Sequence, residues 1–391
     1  MLALLSMAEL LGMSSWFTAS AVSPQLSELW SLSTAQAGWL TTTVQLGFVA
    51  GTALAALLNL ADVIPSRRYF AGAALLAAGA NAALLVAPGY AVALGLRFLT
   101  GLFLAGVYPP AMKMIATWFR SARGLAIGTL VGALTFGKAI PYLIGAIGTV
   151  GYAFVVLSAS AGAVASAALV AAAYRDGPYP FARRPFSWGL VGTVVRHRET
   201  RLAIGGYLGH MWELYACWTL LAVFFHQFFT TRGTAADVAA TFAGVITFAA
   251  IAIGGVGSVL AGQWADRLGR ERIAIWAMLV SGACALFIGW LTFLPTWALV
   301  CIAVLWGFAI VADSAQFSAL VTEVAPTHAV GTALTLQTSI GFLLTAFSIW
   351  LTVEVAGRWG WGVAFSMLAV GPAFGIWQML RLKSVRTGDV D

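Results

Sequence analysis

Gly262-Gln263-Trp264-Ala265-Asp266-Arg267-Leu268-Gly269-Arg270-Glu271-Arg272 is a charged island between two apolar runs, 235–262 before it and 273–293 after it. About 20 apolar residues, rising 1.5 Å each, cross the hydrocarbon core of a bilayer as a helix. Both runs are long enough, so the island is a short turn at a membrane surface. Gly262 permits close helix approach and Gly269 a tight turn. Asp266 beside the arginines can build a charge-assisted network there.

The rest of the chain has the same character. Of its 391 residues 61% are hydrophobic and only 9% charged, with a mean hydropathy of +0.90. A soluble domain carries about 25% charged residues, so the solvent for the excess apolar surface is lipid. Apolar runs between polar or Pro/Gly breaks divide the chain into twelve expected spans. The first six are 2–24, 36–58, 69–87, 90–115, 123–148 and 150–174. The second six are 203–229, 235–262, 273–293, 296–322, 329–352 and 360–381. None shows the alternating ten-residue pattern of an outer-membrane barrel. The run opening at Met1 has no basic leader and outlasts a signal peptide, so it reads as a first span.

The net charge of +7 does not point to nucleic acid. Sixteen of the 21 basic residues fall in segments on one side of the expected membrane, two (Arg232, Arg358) on the other, and Arg97, Lys113 and Lys138 within spans. That split marks the first side as cytoplasmic, with both termini there. Cys217, Cys284 and Cys301 all lie in apolar stretches and offer neither a disulfide framework nor metal-ligand spacing. No phosphate-binding loop is present and nothing places a catalytic site, so neither a cofactor nor an enzyme is expected.

The two halves resemble one another. Asp62 and Asp266 follow spans two and eight; Gly124-Leu125-Ala126 and Gly331-Thr332-Ala333 open spans five and eleven; Gly101 and Gly307 lie in spans four and ten. Offsets of 204 to 207 residues make a repeat of six spans, hence two parallel halves about an axis normal to the membrane. The expected division is 1–174, a six-helix bundle; 175–202, a cytoplasmic linker; and 203–391, a second bundle. Within the linker, Phe186–Arg201 is either a helix on the inner leaflet or a solvated connector.

On these residues the chain resembles the major facilitator superfamily. The 262–272 stretch is similar to the family's G-x-x-x-D-R-x-G-R-[RK] signature loop and lies where that family places its second copy. The first copy, Leu58 to Arg68, keeps Asp62 and the final arginines but loses both glycines and the Arg after Asp. Span four, Arg97-x3-Gly101-x4-Gly106-Val107-Tyr108-Pro109-Pro110, resembles the family's membrane Arg followed by glycines. The glycines of span five resemble its glycine-rich pattern, small residues that permit close crossing. Within the family the nitrate/cyanate and organic-anion branches are the most similar, although the glycine-dense nitrate signature is not matched. The resemblance implies an all-α membrane fold of twelve helices in two six-helix bundles around a central cavity. It implies an alternating-access transporter at the inner membrane, and a monomer whose partners are lipid, a small solute and protons.

Ionisable residues within spans are costly and mark function by default. Glu9, Arg97, Lys113, Lys138, His210, Glu213 and Asp313 occupy spans one, four, five, seven and ten, which line the central cavity in this family. Arg97 and Lys138 are expected to hold an organic anion, with Tyr108, Tyr142, Tyr207, Trp16 and Gln316 around it. The open alternative pairs one cation with Glu9. Glu213 and Asp313 are the expected proton carriers, with His210 and Glu9 assisting, because a carboxyl shielded from water favours its neutral form. A packing hydrogen bond for Asp313 and a structural role for His210 stay open. Tyr207, His210 and Glu213 share one helical face at steps of three, and Trp306, Asp313 and Gln316 another. Asp266, Arg267, Arg270, Glu323 and Asp62 are expected to gate. The expected function is proton-coupled transport of a small organic anion; the alternative is a proton-driven exporter of drugs or metabolites.

Overall fold

The computed structural model describes residues 1–58, 60–119, 123–147, 151–179 and 187–388; of residues 34, 61, 62 and 123 it describes the backbone alone. The regular secondary structure of the described residues is entirely helical, without strands. Twelve spans form two six-helix bundles. Span one is in three pieces, Leu2–Met13, Thr18–Ala21 and Ser23–Trp30. Then come span two, Thr34–Leu57, and span three, Ser66–Ala82 with a tighter turn Ala83–Val86. Span four is Tyr90–Leu104 and Tyr108–Ala116, span five Arg123–Gly145 and span six Tyr152–Ala173. In the second half span seven is Arg198–Thr230, span eight Ala236–Leu268 and span nine Arg270–Ile288. Span ten is Thr296–Ala312 and Ser314–Val324. Spans eleven and twelve run together as Val330–Leu368 and Val370–Thr387.

Three boundaries differ from the sequence expectation, each for a local reason. No non-helical loop separates spans eleven and twelve; the helix runs on through the Glu354–Arg358 pair and breaks at Gly360, whose φ of +79° a side chain would oppose. Span nine starts directly after Gly269 (φ +94°), so the charged turn is a single residue of non-helical backbone. The surface helix covers Trp188–Arg196 rather than 186–201, and Arg198 and Arg201 belong to span seven. Phe186 lies outside the described residues.

The repeat is visible in the packing. Span two lies on span four, and span eight on span ten. A Cβ on Gly101 would sit 1.9 Å from the Val44 carbonyl oxygen, and one on Gly307 1.8 Å from that of Ala250. A Cβ on Gly51 would sit 2.3 Å from Leu102 O, and one on Gly257 2.4 Å from Phe308 O. Every one of these four residue pairs obeys an offset of 206, so the same backbone-to-backbone crossing was built twice. The bundles meet where span five packs on span eight and span two on span eleven. Large apolar side chains of spans three, six, nine and twelve, among them Leu76, Phe154, Phe287 and Trp377, stay exposed on the outside. That is the surface a bilayer covers.

Candidate functional site

The bundles touch at mid-height through an aromatic cluster. Span five comes against span one because Gly137 has no side chain; a Cβ there would lie 2.0 Å from Leu10 O. The next residue, Lys138, is buried and reaches into the other bundle, donating to the Tyr215 hydroxyl at 2.6 Å. Its Nζ stands 4.2 Å from the Trp16 ring, 5.0 Å from Tyr215 and 5.6 Å from Trp218. Trp16 packs on Phe48, Tyr215 and Phe342, and Phe17 on Tyr142 and Trp218, so spans one, two, five, seven and eleven converge here. Tyr142 donates to the Trp218 carbonyl at 3.2 Å. Glu9 is fully buried, and neither of its oxygens accepts a hydrogen bond from the described residues. It lies close enough to Lys138 and to the half-buried Tyr108 to act on both electrostatically.

Arg97 has other work. Span one loses helical structure at Ser14–Phe17, which frees carbonyls at membrane depth, where each needs a donor. Arg97 Nη2 supplies it, 3.1 Å from Ser15 O and 2.6 Å from Trp16 O. Its Nη1 donates to Asn81 at 2.8 Å, and Asn81 donates to Ser160 and the Val156 carbonyl. Arg97 and Lys138 therefore meet different partners, and Arg97 turns into its own bundle toward spans three and six. Glu213 likewise turns inward, accepting from Trp306 Nε1 at 2.6 Å and Ser281 at 3.0 Å. This corrects the picture of all deep charges facing a central hollow.

The two expected helical faces also divide. His210 Nδ1 lies 2.8 Å from the Asp313 carboxylate, at the break in span ten, and its Nε2 lies 3.0 Å from the Ser314 hydroxyl. Tyr207 stacks near His210 and fills the space left by Gly341, while Glu213 is directed elsewhere. Trp306, Asp313 and Gln316 meet three different partners: Glu213, His210 and Arg270.

At the 262–272 end, Arg270 donates to Glu323 at 2.6 Å, Gln316 at 3.1 Å and Asp266 at 3.3 Å. A Cβ on Gly124 of span five would collide with the Asp266 carboxylate, 2.5 Å away, so this network seats on the other bundle. Arg267 is exposed beside it. The side chain of Asp62 lies outside the described residues. A cavity of about 160 Å³ opens beside Arg270, Gln316 and Glu323. A larger one, about 360 Å³, lies toward the opposite end between the bundles, bordered by Ser20, Thr41, Tyr142, Thr219 and His226. The two share no lining residue, and Tyr142, which borders the larger one, packs against Phe17 of the aromatic cluster.

The structure thus gathers Lys138, Trp16, Tyr142 and Glu9 at the junction and adds Tyr215 and Trp218, which the sequence analysis did not single out. Their signal was present: Tyr207, Met211, Tyr215 and Trp218 recur at helical spacing along one stripe of span seven.

A family model described as Major Facilitator Superfamily matches residues 4–349. No curated protein matches the chain by sequence. Among solved structures, it superposes on the proton:xylose symporter XylE bound to 6-bromo-6-deoxy-D-glucose, with TM-score 0.74 and 15% identity over 97% of this chain and 94% of that one. It also superposes on the human organic anion transporter MFSD10 (TETRAN), with TM-score 0.70 and 12% identity over 97% and 98%. At such identities these two likenesses concern the fold.

Proposed function

The chain belongs to the Major Facilitator Superfamily, membrane transporters rather than enzymes, and we propose that it carries a small organic anion by alternating access coupled to protons. One observation carries this reading. Lys138 is a buried cation at the junction of the bundles, held by the Tyr215 phenol and flanked by the Trp16 and Trp218 rings, with no ion pair among the described residues. A buried charge is stabilised by a counter-charge, and a solute carboxylate would supply one. Tyr142, which packs on Phe17 of the same cluster, and Tyr108, within electrostatic reach of Glu9, are the phenols assigned to complete the solute's shell. Arg97 is assigned to bracing the broken first span.

Glu9 is the best-suited proton carrier, since both its oxygens are free to exchange a proton beside Lys138. The His210–Asp313 pair is a second acid–base site on the path through span ten, and Glu213, tied by Trp306 and Ser281, contributes less. Asp266, Arg270 and Glu323 close one end by clamping span nine to span ten against Gly124. Breaking that clamp while the bundles 1–174 and 203–391 rock would expose the junction to the other side. The excess of arginines near the clamp supports a cytoplasmic position for that end and for both termini, as in a bacterial inner-membrane protein.

The test is exchange across proteoliposomes. The wild type should exchange at least one short mono- or dicarboxylate, and Lys138→Met should abolish that exchange while the protein stays folded. Undiminished exchange by the variant, or a wild type that moves no organic anion, rejects the reading. The seven clustered rings favour a second reading, proton-driven export of hydrophobic compounds. Stabilisation of the wild type by lipophilic cations rather than carboxylates would select it.

A further inference from the structure

The Lys138 ammonium sits in a box of aromatic rings. The Trp16 and Trp218 rings lie within about 6 Å of it, the range in which a ring face attracts a cation, at 4.2 and 5.6 Å, and Tyr215 meets it edge-on through its hydroxyl at 2.6 Å. The three rings are buried, which removes the water that would weaken the attraction. Their positions do not depend on the lysine. Trp16 and Tyr215 contact each other at 5.6 Å between centroids, Tyr215 and Trp218 at 5.4 Å, and Phe342 backs both Trp16 and Tyr215. Phe17 supports Trp218 from a further side. The walls come from span one and span seven, so the box exists only where the bundles meet. The Tyr215 hydroxyl provides a hydrogen-bond acceptor at one corner, and the orphaned Glu9 carboxyl acts on the same space.

We propose that Trp16, Tyr215 and Trp218 form an organic-cation site that Lys138 fills as an internal ligand, making Lys138 a specificity-determining residue that keeps external cations out of the junction. Such a box is what proteins use to hold alkylammonium groups, and here the alkylammonium is covalently attached. This goes beyond the anion reading, because the box can be probed without any transported solute.

Truncating the lysine to alanine or serine removes three carbons and the ammonium, the atoms of propylammonium. Purified Lys138→Ala and Lys138→Ser should therefore bind propylammonium chloride saturably, at least tenfold more tightly than the wild type, with a matching rise in melting temperature. An equal concentration of 1-propanol or sodium chloride should not reproduce it. Lys138→Met, whose side chain refills the box without charge, should not bind, and Lys138→Ala with Trp16→Ala should lose binding. The proposal is overturned if both truncated variants bind propylammonium no better than the wild type, or if 1-propanol stabilises them equally. If the variants fold only when propylammonium is present during purification, the box is supported; if they fold with neither additive, it is rejected. A wild type that exchanges no anion while the truncated variants bind propylammonium would reject the anion reading and keep the box.

Discussion

Span one and span seven open the two halves and hold equivalent places in the repeat, yet they are built differently. Span seven is one unbroken helix from Arg198 to Thr230, whereas span one breaks at Ser14–Phe17. Each is tied into its bundle by one buried charge facing neutral groups. In the first half the charge is Arg97, a donor from span four that serves span one carbonyls and Asn81 of span three. In the second it is Glu213, an acceptor on span seven itself, served by Trp306 of span ten and Ser281 of span nine. The sign of the charge is reversed because the need is reversed. A broken helix exposes carbonyls and requires a donor, and an unbroken one exposes none. The depth of a charge in a span therefore does not distinguish a tie from a transport group; whether its hydrogen-bonding atoms are already occupied does.

The comparison presumes that the two halves share one packing scheme, and its strongest test lies in the glycines. Gly101→Val and Gly307→Val each force side-chain atoms into a backbone carbonyl less than 2 Å from the Cβ position. Each should cost about 3 kcal/mol or more and lower folded yield to a similar degree. A tolerant Gly307 beside an intolerant Gly101, measured by denaturant unfolding in detergent, would break the symmetry on which the comparison rests.

The tie in the first half comes next in size. Arg97→Gln removes charge-assisted bonds to Asn81 and to two carbonyls that have lost their helical partners. It should destabilise by about 2–3 kcal/mol and raise proteolysis near Ser14–Phe17. If stability is unchanged and only solute affinity falls, Arg97 belongs to the solute site after all. Glu213→Gln should cost less, about 1 kcal/mol, since an amide oxygen can still accept from Trp306 and the serine can rotate. Uptake driven by a pH gradient should persist in it.

These contrasts also explain what was legible beforehand. Composition and the charged turn at Asp266–Arg272 fix a twelve-span chain because lipid tolerates few alternatives to long apolar helices. The Gly101/Gly307 offset was readable, and the packing gave it meaning. Side-chain direction was not readable. Tyr207, His210 and Glu213 at steps of three drift about 60° per step around a helix of 3.6 residues per turn, so the first two stay together and the third faces the bundle interior. The break in span one has no strong sequence mark, as Ser14-Ser15-Trp16-Phe17 contains neither glycine nor proline. Without the break there was no reason to give Arg97 its carbonyl partners. Lys138 was visible as a deep cation, but its box needed Tyr215 and Trp218 from the other half, a proximity that only tertiary packing creates.

Glu9 should show the smallest effect on stability and so gives the sharpest functional contrast with Glu213. Its carboxyl is as deeply buried as that of Glu213, yet it makes no hydrogen bond among the described residues. Replacing it with glutamine deletes no bond and keeps the shape, so stability should stay within about 0.5 kcal/mol of the wild type. Solute exchange at equal pH on both sides needs no net proton movement and should continue. Accumulation driven by a pH gradient needs a group that binds and releases a proton in each cycle, and it should disappear. Equal loss of exchange and accumulation would make Glu9 part of the solute site, and loss of neither would move the coupling to His210 and Asp313. An occupied carboxyl such as Glu213 must give up two hydrogen bonds before it can move a proton, whereas Glu9 has none to give up among the described residues, so the two glutamine variants should part on the pH-driven measurement.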